Sequence, residues 1–175
     1  LGGWSGSFAG TGNKTAPTYE PIVNAGASDY WLVKLDANGN KLWDQSYGSG
    51  GNDFIFVVRQ TSDGGYILGG TTGGQMSDPV GPTYISGGYF WLVKTDDSGN
   101  KQWDQAYVAS GPENSGSSSI RDVQQTSDGG YILVGHWGEP PGAAWVGKTD
   151  ASGTIQWDHK VPAATALTSV KLTGD

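Results

Sequence analysis

Apolar residues in this chain fall in short runs, aromatic and β-branched, separated by glycine-bearing turns, and no stretch keeps a helical period. Trp31 to Leu35 reads as a first strand, and the turn Asp36-Ala37-Asn38-Gly39 ends it. Aspartate suits the start of such a turn, and glycine supplies the positive φ at its end. A second strand carries Leu42, Trp43 and Asp44. A third, Ile55 to Gln60, leads into Asp63-Gly64, a strong short hairpin signal, and Tyr66 to Leu68 forms a fourth.

The pattern then repeats. Residues 31–44, 91–104 and 145–158 align without a gap, each with two tryptophans 12 residues apart around a central glycine. Gln-Thr-Ser-Asp-Gly-Gly-Tyr-Ile-Leu stands at 60–68 and again at 125–133. Val170 to Asp175 reads as a third copy of that element, and Leu1-Gly2-Gly3 matches Leu68-Gly69-Gly70. The units run approximately over 1–67, 68–132 and 133–175, the last truncated. Four antiparallel strands per unit, with recurrent glycine and tryptophan, predict an all-β chain of about three β-propeller blades in a single segment of a larger ring. Three blades do not close a ring, so the expectation is either a longer chain or several copies assembling together.

In that architecture Trp31, Trp43, Trp91, Trp103, Trp145 and Trp157 fill the wedges between neighbouring blades. Lys34, Lys94 and Lys148 recur beside them and predict packed stems or cation–π contacts.

Composition supports a folded chain. Leu, Ile, Val and Phe supply only 32 of 175 residues, but eight Trp and eight Tyr enlarge the core-forming set, and the net charge of −7 is mild. Ten basic residues against 17 acidic ones, with no basic run, argue against a nucleic-acid partner. No apolar run is long enough for a membrane-spanning helix. The absence of cysteine excludes disulfides and thiolate metal sites. No signal peptide is visible.

The segment from Lys34 to Trp43 resembles the tryptophan-docking motif of quinoprotein-type propellers. The longer consensus, Trp-Leu-Val-Lys-x-Asp-x-x-Gly-Asn-x-x-Trp-Asp followed by Gln-Thr-Ser-Asp-Gly-Gly-Tyr-Ile, is similar to propeller repeats of large secreted or surface-anchored prokaryotic proteins, common in methanogenic archaea and Bacteroidetes. The likeness covers about two thirds of the chain. It implies an extracellular or cell-surface location and a role in binding, adhesion or assembly. The third copy departs from it, with Gly147 in place of valine and Thr154-Ile155 in place of Asn-Lys.

Connection lengths locate the expected site. The turns Asp-x-x-Gly and Ser-Asp-Gly-Gly are nearly invariant, whereas the links from Leu1 to Trp31, Leu68 to Trp91 and Leu133 to Trp145 span 30, 23 and 12 residues. From the second tryptophan to the turn aspartate takes 20, 25 and 18 residues. All variation therefore falls on one face, where rigid scaffolds commonly carry recognition. The candidate ligand-binding residues there are Trp4, Tyr19, Tyr84, His136, Trp137 and Glu139, suited to a protein or a glycan partner. Asn13, in the sequon Asn13-Lys14-Thr15, is the candidate glycosylation site.

Catalysis finds little footing. His136 and His159 are the near-neutral bases, and no nucleophile or zinc-protease motif occurs. The Asp36 turn lacks the carboxylate that a calcium loop needs at its twelfth place, which is Tyr47, so it reads as a β-turn. Asp29, Asp53 and Asp78 are loop carboxylates that suit an open calcium site, without a spacing that demands one. No cofactor is expected. The leading expectation is a non-catalytic module binding a protein or glycan through its variable face, with self-association or the remaining blades of a longer chain as its other contacts. The alternatives are a carbohydrate-binding lectin, a structural subunit of an extracellular layer or filament and, least favoured, a glycoside hydrolase.

Overall fold

The computed structural model describes residues 1–6, 14–16, 28–49, 51–73, 88–107, 118–138, 142–161 and 166–173. Every regular element among them is a strand: β1 (Gly2–Ser5), β2 (Asp29–Leu35), β3 (Lys41–Tyr47), β4 (Asp53–Gln60), β5 (Tyr66–Thr72), β6 (Tyr89–Thr95), β7 (Lys101–Tyr107), β8 (Ser119–Gln125), β9 (Tyr131–Trp137), β10 (Ala143–Thr149) and β11 (Ile155–Val161). They form three antiparallel sheets, β1–β2–β3, β4–β5–β6–β7 and β8–β9–β10–β11. The chain is all-β, and no described helix is long and apolar enough to cross a membrane.

The sheets are phased differently from the reading order of the motif. The strand read as third, Ile55 to Gln60, opens a sheet, because β4 pairs with β5 and not with β3. A unit counted from a tryptophan strand therefore draws on two sheets. The first sheet has only the last three strand types. Residues 166–173 lie where a fourth sheet would begin: Leu167 N donates to Gly135 O at 3.2 Å, and Val170 N to Asp122 Oδ2 at 3.1 Å.

Local chemistry explains the turns. Asp36 Oδ1 accepts from Asn38 N and Asn40 N, both at 2.8 Å, and Asn40 Nδ2 donates back to Asp36 Oδ2. Asp96 and Asp150 organise the equivalent turns, and Gly39, Gly99 and Gly153 hold φ between 81° and 84°.

Two cores hold the sheets together, one at each junction. Tyr30, Leu32 and Tyr47 of the first sheet meet Ile55, Leu68, Trp91 and Val93 of the second. Ile67, Phe90, Leu92 and Tyr107 of the second meet Ile120, Tyr131, Leu133 and Trp145 of the third. Trp91 and Trp145 are each 1% exposed, and enclosing such a ring contributes about 1.5–3 kcal/mol or more. Burial obliges the indole N–H to find an acceptor. In all three sheets it is the aspartate after the second tryptophan: Trp31 to Asp44, Trp91 to Asp104 and Trp145 to Asp158, at 2.9–3.0 Å.

A second device recurs across the junctions. The Gly99 turn sits against the Trp43 ring and Gln45, where an added Cβ would come within 2.9 Å of both, and Tyr47 Oη donates to Gly99 O at 2.6 Å. Trp103, Gln105 and Tyr107 receive the Gly153 turn in the same way, with the Tyr107 hydroxyl at 2.7 Å from Gly153 O.

Candidate functional site

Antiparallel pairing sorts the connections between two rims. The tight turns 61–65, 96–100, 126–130 and 150–154 and their first-sheet counterpart 36–40 lie at one end of the strands. The links after β1, β3, β5, β7 and β9 leave from the other end. Backbone hydrogen bonds tie neighbouring links where they enter and leave the sheets: Asp53 N to Ser28 O at 2.6 Å, and Ser118 N to Gly88 O at 2.9 Å.

On the turn rim, the polar groups are occupied by the fold. Lys94 Nζ donates to Asp63 Oδ2 at 2.8 Å, Thr95 O at 2.7 Å and Gln102 Oε1 at 3.0 Å. Lys148 meets Asp128 and Thr149 O likewise. Both lysines are buried, and each neutralises a half-exposed turn aspartate. Lys94 and the Thr61 hydroxyl hold the Asp63 carboxyl at about 2, below the usual carboxylate range. Lys34 has no aspartate of this kind among the described residues. Its ammonium reaches Asp97 O at 3.3 Å and lies 5.8 Å from the ring centroids of both Trp43 and Tyr66. The recurrent lysine is thus chiefly an ion-pair anchor, and only the first copy shows the cation–π geometry. The Asp36 turn is a closed hydrogen-bonded loop, and its carboxyl is held low first by the Asn40 side chain.

The link rim differs from copy to copy. Asp29 and Asp53, expected in loops, open β2 and β4 and are fully buried. Asp53 accepts from Ser49 N at 2.9 Å and Ser49 Oγ at 3.0 Å, and Ser49 Oγ also bonds Thr72 Oγ1. Burial pushes the Asp53 carboxyl up to about 6 against these hydrogen bonds, and the nearby Asp29 charge adds to the rise. These two carboxylates form a buried polar knot, not an open calcium site. At the second junction Ser118 stands in the place of Asp53. Asp78 lies outside the described residues, and no group of three or more His, Asp or Glu side chains suited to a metal ion occurs among those described.

A short strap, residues 14–16, leads from the first link onto β3. Thr15 N and Ala16 N donate to Asp44 Oδ2 at 2.8 and 3.0 Å, and the Thr15 hydroxyl bonds the other oxygen. Lys14 is buried beside Asp29 and Asp44, and burial lowers its ammonium pKa while the two carboxylates oppose the shift. Sequence reading missed this strap, because its anchor Asp44 stands 28 and 29 residues away and the sequon Asn13-Lys14-Thr15 carries no sign of that contact.

Of the expected ligand-binding residues, His136 and Trp137 close β9 at the link rim, and Trp4 lies in β1 opposite Tyr30, at the strand position equivalent to His136. Tyr19, Tyr84, Glu139 and Asn13 lie outside the described residues, as does the side chain of Trp4. His136 Nε2 is 2.9 Å from Gly138 O. Trp137 packs against the second core, and the Lys160 ammonium lies 3.4 Å from its ring centroid. A sugar ring stacking on that face of Trp137 has to displace Lys160. His159 lies against Trp157 with centroids 5.5 Å apart.

Of the six repeat tryptophans, Trp91 and Trp145 are enclosed, Trp31, Trp43 and Trp103 are half-buried, and Trp157 is 42% exposed. In comparisons with known proteins, the chain matches no family model and no curated protein.

Proposed function

We propose that this chain is a set of β-propeller blades from a secreted or cell-surface protein, and that it binds a partner without catalysis through its link rim, in adhesion or surface assembly. The observation that carries this reading is the division between the rims. One end of the strands repeats the same turns, with its aspartates committed to turns and lysines. The other end holds every connection whose length and composition change. Variation confined to one end of a rigid frame is how scaffolds present recognition surfaces. The Lys160 ammonium over Trp137 favours a protein partner over a stacked sugar.

Photo-crosslinking residues introduced singly at Ser5, Gly73 and Trp137 on the link rim, and at Asn38, Ser98 and Ser152 on the turn rim, test the proposal against envelope preparations from the source organism. Adducts to one protein from the link-rim positions alone are expected. Adducts from the turn rim, or none at all, overturn it. A glycan-array signal that Trp137→Ala abolishes overturns the protein partner in favour of the lectin.

A further inference from the structure

The chain has two arginines, and each stands on a strand that opens a sheet: Arg59 on β4 and Arg121 on β8. These strands lie side by side, with residues 166–173 on the far side of β8. Ser62 N donates to Gln125 Oε1 at 2.8 Å across the first gap, and Gln124 Nε2 to Val170 O at 2.5 Å across the second. Asp122 joins all three segments. Its Oδ1 accepts from Arg59 Nη2 at 2.8 Å, and its Oδ2 from Val170 N at 3.1 Å. The strand that carries Arg121 is thus flanked on both sides.

Both strands are bulged at the same place. The ladder of β4 with β5 skips Phe56, and that of β8 with β9 skips Arg121. Glycine opposite each bulge lets the backbones close in: a Cβ on Gly70 or Gly135 would come within 2.0 Å of Phe54 O or Ser119 O. A bulge turns its extra residue out of the ladder, and here the two extra residues meet. The Arg121 guanidinium carbon lies 4.2 Å from the Phe56 ring centroid.

The two arginines differ in what they hold. Arg59 is committed to the buried Asp122. Arg121 is exposed even though its strand is flanked, and its N–H groups meet no oxygen acceptor among the described residues. The Phe56 ring steadies the guanidinium without using its donors, which leaves the planar fork that matches a carboxylate. Charge points the same way. Residues 53–60, 119–125 and 166–173 carry Arg59, Arg121 and Lys171 against two acids, Asp53 and Asp122, in a chain whose net charge is −7. Both acids are buried: Ser49 bonds Asp53, and Asp122 is taken by Arg59 and Val170.

We infer that Arg121 and Phe56 form a binding site for a small carboxylate ligand that carries an apolar group. The carboxylate oxygens accept two parallel hydrogen bonds from the guanidinium fork, and the apolar group packs beside the Phe56 ring. Inorganic phosphate engages the fork alone, so the ring favours the carboxylate. Arg121 and Phe56 stand within β8 and β4, between the two rims, so this site is separate from the partner surface of the link rim.

Because the chain has only Arg59 and Arg121, a nitrogen–proton magnetic resonance spectrum of the arginine Nε–H groups contains two side-chain signals, assigned with Arg59→Lys and Arg121→Lys. Fluorobenzoate titrated into the full chain is expected to move the Arg121 signal along a saturating curve and to leave the Arg59 signal in place. The fluorine shift of the probe gives its dissociation constant, which Arg121→Gln should raise by about tenfold or more. Phe56→Ala should reduce fluorobenzoate to the affinity of acetate, both read on the Arg121 signal. A shift that does not saturate, an equal shift of both arginines, or unchanged affinity in Arg121→Gln overturns the site. Inorganic phosphate binding as tightly as fluorobenzoate overturns the ligand class. If Arg121→Gln loses the wild-type circular dichroism, Arg121→Lys replaces it, keeping the charge without the fork, and the same loss of affinity is expected.

Discussion

The junction between the first and second sheets and that between the second and third share one frame and differ in its filling. At both, a buried indole is bonded to an aspartate of its own sheet, and a tyrosine hydroxyl clasps a glycine turn of the next. At the first, Tyr30 tilts 52° against Trp91 with centroids 4.5 Å apart, and its hydroxyl donates to Trp91 O at 3.3 Å. At the second, Phe90 stacks on Trp145 at 4.3 Å and 24°, with no hydroxyl to place. The first also buries Asp53 where the second has Ser118. The repeated parts are therefore those that join sheet to sheet, and the parts that vary adjust ring packing and the link ends without altering the frame.

The sharpest way to break this comparison is to remove the shared rings. Trp91→Ala and Trp145→Ala should each cost about 3–5 kcal/mol in urea unfolding, because a cavity replaces an enclosed ring. A large difference between the two would show that the junctions are not equivalent. Trp157→Ala, which removes a partly exposed ring, should cost well under either.

Asp53 separates the junctions next. Its carboxyl, at about 6 in the fold, lies above the ordinary value near 4 of an unfolded chain. Folding therefore favours the protonated form. The site's contribution is fully present below about pH 4, falls as pH rises through about 6, and stays lost above it. Asp53→Asn should stabilise the protein at pH 7 by up to about 2–3 kcal/mol and flatten the pH dependence between about 4 and 6. Ser118→Ala should leave that dependence unchanged. Thermal unfolding over a pH series reads both. Asp63 acts in another window: its carboxyl is held low, so its contribution is present above about pH 4 and lost as pH falls toward about 2.

Smaller effects sharpen the shared frame. Asp104→Ala leaves the Trp91 N–H without its acceptor and should cost about 1–3 kcal/mol. Tyr47→Phe and Tyr107→Phe each remove one buried hydroxyl bond and should cost about 1 kcal/mol apiece, equally at the two junctions. Denaturant titration of the paired variants measures both.

Most of the secondary structure was legible because its causes are local. The Asp36 turn closes through atoms four residues apart, Gly39 takes the φ its turn demands, and strands follow the runs of aromatic and β-branched residues. The rims were legible too, since antiparallel strands with alternating short and long connections must separate them. The site was legible only in part. Trp137 and His136 reach the link rim, but nothing near Trp137 in the chain announces Lys160 above its ring. Nor does anything near Asp29 announce that it and Asp53 are buried together.

The amino-acid order alone thus determined the strands, the turns and the equivalence of the three tryptophan segments, because each depends on contacts within a few residues or on a repeat visible by alignment. Tertiary structure decided where each sheet begins, since a cyclic repeat reads the same from any starting point and only hydrogen bonding shows that β4 pairs forward with β5. It also decided that Lys94 meets an aspartate 31 residues away, and that Trp145 is enclosed while Trp31, at the equivalent strand position, is half-buried. Identical residues in identical strands differ there for one physical reason: burial depends on what the neighbouring sheet supplies.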